Sequence, residues 1–273
     1  MEPIAETIWD KQLTDPSLGR KGKPRQSGLT MIIDKGLGWT QFKDLLELAS
    51  DYIDFIKLGF GTAVLTPLPV LQKKLETAHQ YDVHLYPGGT FFEAAYHQKA
   101  IHHYLRTLSE IGFDWVEISD GTITLNERER RDAIAQARTH SFRVITEIGK
   151  KEKGSVTPSS QIVEIFHQDR EQGAEYIILE GRESGENVGI FNSKGDVDTR
   201  YVQEVHRQVD PSRIWWECPQ SAQQITILKL LGADTNLGNI PAQEVLSVES
   251  LRRGLRSDTF FTFGNGIREG SLL

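Results

Sequence analysis

Cysteine is nearly missing from this chain: Cys218 is the only thiol in 273 residues, which excludes an intramolecular disulfide and any fold stapled by one. No apolar run is long enough to span a bilayer, and nothing resembles a secretory signal, so the expected setting is the cytoplasm. Basic excess is missing too. Lys and Arg number 31 against 38 Asp and Glu, for a formal charge of −7, which argues against a broad nucleic-acid face but leaves room for a local cationic pocket. The first apolar run is not followed by GxGxxG, and no GxxxxGK[ST] occurs, so the two common phosphate-binding fingerprints of open α/β sheets are lacking. His97, His102 and His103 share one expected helix without forming HExxH, and read as a solvated or packed face rather than a zinc site.

What is present is a balanced globular composition, 38% apolar and 25% charged, in a length that suits one large α/β domain. The first 27 residues, broken by Pro3, Pro16, Gly19, Gly22 and Pro24, read as an arm. From residue 28 to 258 a cycle repeats: a short apolar or β-branched run, a loop rich in glycine and charge, then a segment of helical period. The expected strands are Leu29–Asp34, Tyr52–Lys57, Asp82–Tyr86, Trp115–Ser119, Arg143–Glu147, Tyr176–Glu180, Arg213–Glu217 and Ala233–Leu237. Helices are expected near 40–50, 67–80, 91–111, 126–138, 157–173, 198–209, 220–231 and 241–254, with 259–273 as a tail. Eight such units predict a single-domain (β/α)8 TIM barrel, ahead of a doubly wound sheet.

In that fold the chemistry belongs to the C-terminal ends of the strands. Sorted this way, the ends carry Asp34-Lys35, Lys57, Gly88-Gly89, Asp120, Glu147 with Lys150-Lys151, Glu180 with Arg182, Glu217, and Asn236 through Asn239. Any one charge there reads better as a solvated loop residue or a salt bridge, but their recurrence at one structural position favours a site. Lysines and an arginine suit a small polyanion. The interleaved Asp34, Asp120, Glu147, Glu180 and Glu217 would repel it unless paired with lysine or bridged by a cation, and oxygen ligands of this kind suit Mg2+. Cys218 has no assignable histidine partner and reads as a small buried residue.

The segments DKGLG (34–38), KLGFGT (57–62), PGGTFFE (87–93), EISDGT (117–122), EIGKK (147–151), EGRESG (180–185) and NLGNIP (236–241) together resemble the phosphosulfolactate synthase family. The resemblance runs from about Lys23 to Phe263, with Phe60 standing where the family's motif carries Trp. It implies a barrel that adds sulfite to phosphoenolpyruvate, with Mg2+, giving (2R)-phospho-3-sulfolactate on the way to coenzyme M. Carried onto this sequence, it implies Lys151 or its neighbour Lys150 as proton donor, with Arg182 and Lys57 holding phosphate or sulfite oxygens. Lys35, Gly88, Gly89, Ser184 and Asn236 complete the expected substrate set. Asp34, Glu147 and Glu180 lead the expected metal ligands, followed by Asp120 and Glu217. The loop 182–194 reads as a lid or as a plain surface loop. Two other readings keep the barrel: a Schiff-base lysine aldolase, and a non-catalytic relative that binds a ligand or serves stress tolerance. Barrels commonly associate, so a homo-oligomer is compatible with the sequence.

Overall fold

A computed structural model describes residues 8–150, 154–182, 184–187 and 189–264. Eight parallel strands run β1 (Thr30–Asp34), β2 (Phe55–Leu58), β3 (His84–Pro87), β4 (Trp115–Ile118), β5 (Arg143–Ile148), β6 (Ala174–Leu179), β7 (Ile214–Glu217) and β8 (Leu237–Pro241). Their order, β3-β2-β1-β8-β7-β6-β5-β4, is that of a ring cut between β3 and β4, and those two strands pack against each other to close it. This is the (β/α)8 barrel that the repeat predicts.

The helices are α1 (Lys11–Thr14), α2 (Trp39–Ala49), α3 (Thr62–Leu65), α4 (Leu68–Gln80), α5 (Gly89–His97), α6 (Ile101–Ile111), α7 (Glu127–Thr139), α8 (Ser159–Gln172), α9 (Thr199–His206), α10 (Ser221–Leu231), α11 (Val245–Arg252) and α12 (Phe260–Phe263). The longer ones wrap the barrel through one apolar stripe each, as Phe42, Leu46 and Ala49 do on α2. Asn126 starts α7 by accepting from the Glu129 N–H, while Glu129 accepts from the Asn126 N–H, a reciprocal cap that stops the preceding loop.

The two-residue period of the strands sorts side chains into an outer core and an inner one. Ile56, Val116, Val144, Ile177 and Trp216 face the helices. Phe55, Tyr86, Trp115, Ile145, Tyr176, Ile178 and Trp215 face the barrel axis and form a second apolar cluster. Two positions further along, the same parity turns Lys57, Glu117, Glu147, Glu180 and Glu217 inward above that plug, all of them buried. An aromatic floor under a charged layer therefore follows from one alternation.

Two expectations are corrected. The single helix expected over 91–111 is two, because Lys99 adopts a left-handed φ of 57° between α5 and α6. The eighth strand begins at Leu237 rather than ending there. Apolar period alone did not mark that boundary; Asn236 marks it, since its amide ties the Leu29 N–H (3.0 Å) to the carbonyls of Ser212 (3.0 Å) and Ile214 (3.2 Å) before the strand starts.

Candidate active site

The charged layer lines a cavity of about 250 Å3 at the C-terminal end of the barrel, with Ile33, Gly59, Phe60, Gly88, Gly89 and Asn239 among its other walls. At its centre the Lys57 ammonium lies 3.2 Å from Glu117 Oε2, 3.2 Å from Glu147 Oε2 and 2.9 Å from Glu217 Oε1. Burial opposes the charge on Lys57, but Glu117, Glu217 and Glu147 outweigh it and hold the ammonium well above the ordinary lysine range. It donates hydrogen bonds to Glu147 and Glu217 and forms an ion pair with Glu117, so Lys57 is a fixed cation. A Schiff-base nucleophile needs a free amine, and this lysine is not poised to supply one.

The carboxylates are held from behind. Glu117 Oε1 accepts from the Gly89 N–H at 2.7 Å, and Glu217 Oε2 from the Gly181 N–H at 3.0 Å. Glu180 Oε1 accepts from the Arg182 N–H at 2.5 Å. Ser119 Oγ lies 2.9 Å from Glu147 Oε1 and 2.5 Å from Glu93 Oε1, and the Thr122 N–H donates to the other oxygen of Glu93 at 3.1 Å. Gly89 is required by close approach: a Cβ there would stand 2.4 Å from Ser119 Cβ and 2.6 Å from Glu117 Oε1. Glu147, Glu180 and Glu217 each bring one carboxylate oxygen within 4.8 Å of the others. Such a set of hard oxygens suits a divalent cation with part of its water shell kept.

The structure gathers Lys57, Gly88, Gly89, Glu147, Glu180, Arg182 and Glu217 of the expected residues around this cavity. It does not bring Asp34 there. Ile33 faces the cavity, so Asp34 faces the helices, where Lys74 of α4 holds Oδ2 at 2.7 Å and the Gly36 and Leu37 N–H groups hold Oδ1. Asp120 is bound by Arg130 (3.2 Å) and Lys150 (2.9 Å), and the Lys150 ammonium also donates to the carbonyls of Asp120 and Ile123. That pair pins two loops together rather than entering the cavity. Lys35 is exposed on the rim, 6.0 Å from the Phe60 ring centre. Ser184 is exposed, with its carbonyl accepting from Gln220. Asn236 sits at the opposite, N-terminal end of β8, and Asn239, with a left-handed φ of 55°, lines the cavity instead. Lys151 lies outside the described residues.

Glu117 lies inside an expected strand with no expected role, and Glu93 and Ser119 have none either. Parity was the available signal for Glu117, two residues beyond the inward Trp115, as Glu147 is beyond Ile145. The site is also more acidic than the loop lysines suggested. Among the described residues Lys57 and Arg182 are the cations of the lining, against Glu117, Glu147, Glu180 and Glu217.

Comparison with known proteins agrees with this architecture. The 3-hexulose-6-phosphate synthase of Salmonella typhimurium superposes with a TM-score of 0.54 at 12% identity, covering 81% of this chain and 97% of that one, a likeness of fold alone. The sequence relatives are nearer. The phosphosulfolactate synthase of Methanothermobacter thermautotrophicus is 39% identical over 249 residues, 90% of this chain and 95% of the relative. That of Methanocaldococcus jannaschii is 39% identical over 237 residues, 86% and 94%, and that of Bacillus subtilis 38% identical over 245 residues, 89% and 96%. With the model of that family matching residues 19–258, the chain belongs to the (2R)-phospho-3-sulfolactate synthase family of enzymes.

Proposed function

We propose that this enzyme adds sulfite to phosphoenolpyruvate, with Mg2+, to give (2R)-phospho-3-sulfolactate. The observation that carries the reading is the buried trio Glu147, Glu180 and Glu217 beside the fixed Lys57 cation, at the barrel end where this fold performs chemistry. The sulfur lone pair of sulfite attacks C3 of the enol phosphate. The C2–C3 π electrons move into the carboxylate, and a proton then returns to C2, so the carbon–sulfur and carbon–hydrogen bonds replace the double bond and nothing leaves.

The charge that collects on the substrate carboxylate sets the demand on the site. Glu147, Glu180 and Glu217 would hold Mg2+, which when bound supplies Lewis-acid stabilisation of that charge. Lys57 keeps Glu147 and Glu217 together by neutralising part of their repulsion. Arg182, exposed on the rim of the cavity, has the planar fork to hold phosphate or sulfonate oxygens. We assign the C2 proton to Lys151, since Lys150 is committed to Asp120 and two carbonyls.

Phosphorus NMR of the purified enzyme with phosphoenolpyruvate, sulfite and Mg2+ tests the reading. The vinyl phosphate signal is expected to give way to that of a secondary alkyl phosphate, with loss of conversion on chelation. A fully active chelated enzyme would remove the metal from the proposal, and no conversion under complete conditions would remove the reaction.

A further inference from the structure

The opposite mouth of the barrel holds a second cavity, of about 340 Å3. Its walls include Phe55, His84, Trp115 and Arg143, the first residues of four strands, and Tyr176 near the start of β6, with Arg213 just before β7, and the arm at 23–26 crosses one side. The N-terminal face of such a barrel normally serves stability, and part of this lining does. Arg25 binds Asp54 at 2.9 Å, and Arg143 stacks on Trp115 at 4.0 Å while gripping Glu175 at 2.5 Å.

Two cations of the lining have no such duty. The Lys23 ammonium reaches the backbone carbonyl of Asp82 at 2.6 Å. The half-buried Arg213 guanidinium lies 5.5 Å from the centre of the Tyr176 ring and makes no ion pair within 4 Å among the described residues, its nearby acid being Asp210. Arg170, which feels the charge of Arg213, spends its guanidinium on carbonyls, those of Ala174 and Glu175. Asp82 is the lining acid left without an arginine, and it is exposed. Burial is the first cause that lowers the neighbouring basic groups, Lys23 among them, with Asp54, Asp82 and Asp51 pulling against it. Burial and then Arg143, with Lys23 behind it, keep His84 below the ordinary histidine range against the pull of Asp82 and Asp114. Burial and then Arg213 lower Arg170.

We propose that this cavity is a binding site for a small phosphate-type oxyanion, inorganic phosphate or a phosphate monoester, held by Arg213 and Lys23 over the aromatic floor. Arg213 and Lys23 line one cavity with Phe55, Trp115 and Tyr176, and a planar fork with a point charge beside an aromatic floor supplies the elements of such a site. It stands at the other end of the barrel from the carboxylate layer and does not depend on the reaction proposed there.

His84 lines this cavity and reports on it alone. Inorganic phosphate titrated into the full-length protein, followed through the imidazole resonances of His84 and assigned with His84→Gln, is expected to give a saturable shift. Arg182→Gln should leave that curve unchanged. Combining Lys23→Gln with Arg213→Gln should weaken it by about tenfold or more, the scale of losing two charge-assisted contacts. Thermal melts check that the variants fold. Should Arg213→Gln not fold, Arg213→Lys keeps the charge and is expected to bind saturably but more weakly than wild type. A linear shift matched by chloride at equal ionic strength, or a curve indifferent to Lys23 and Arg213, overturns the site.

Discussion

Lys57 shows how much one side chain decides here. Its ammonium is buried and faces three carboxylates on three strands, β4, β5 and β7. Removing one member of a buried ionic cluster leaves the others uncompensated in a medium that solvates them poorly, which costs about 3–5 kcal/mol. Lys57→Met nearly conserves volume, so its effect is electrostatic. We expect its urea midpoint to fall by an amount corresponding to that cost, and activity to disappear with it. The sign with pH follows from the raised folded-state value. The stabilisation from Lys57 is complete below the ordinary lysine value of 10.5 and is lost only as the pH climbs through the higher value it has in the fold. The gap between wild type and variant should therefore stay constant through neutral and mildly alkaline solution. A midpoint shared by the two proteins would mean that the glutamates discharge by taking up protons instead.

At the scale of elements, the sequence was legible wherever two periodicities agreed and illegible where one was interrupted. Strands β4 to β7 begin within one residue of where the alternation predicts, apart from the two-residue offset at β6, and so Glu147, Glu180 and Glu217, though not Glu117, stand at expected strand ends. The helix pair α5 and α6 was not separable, because a left-handed lysine carries no sequence mark of the kind a glycine would give. For β8 the misplaced boundary changed a residue's role. Asn236 was expected to touch substrate, yet its amide closes the N-terminal end of the barrel with three hydrogen bonds to backbone groups. Asn236→Ala leaves those groups without partners, and we expect about 1–3 kcal/mol of destabilisation with kcat/KM of the surviving folded enzyme unchanged. Asn239→Ala, at the cavity, should show the reverse pattern. A kinetic defect in Asn236→Ala without a stability defect would return that residue to the site.

The molecule as a whole is a stack along the barrel axis: a mouth of cations and acids at the N-terminal end, an aromatic plug, then a carboxylate layer around one lysine. The plug was readable as hydrophobic residues, but the charge of the upper layer was not, since lysines in loops and glutamates in strands look alike until parity and direction are known. Lys150 shows why: it is adjacent to the site in sequence and turned into a clasp with Asp120. An upper layer that is acidic in its described lining has a consequence for the stability of the entire chain. A ligand that binds only the folded state stabilises it by mass action, by about 2.7 kcal/mol at a hundredfold excess over its dissociation constant. Mg2+ alone, with no substrate, should therefore raise the melting temperature with a saturable dependence on concentration. Glu180→Gln keeps the shape of the side chain and an oxygen for the Arg182 N–H while removing a charge from the trio, so its melting temperature should lose most of that response. Potassium at matched ionic strength should not reproduce it, because a monovalent ion offers too little charge to order three carboxylates. If Mg2+ and potassium shift the melting curve alike, or if Glu180→Gln responds as wild type does, the trio holds no metal and the protein's own cations, Lys57 first, must balance the layer.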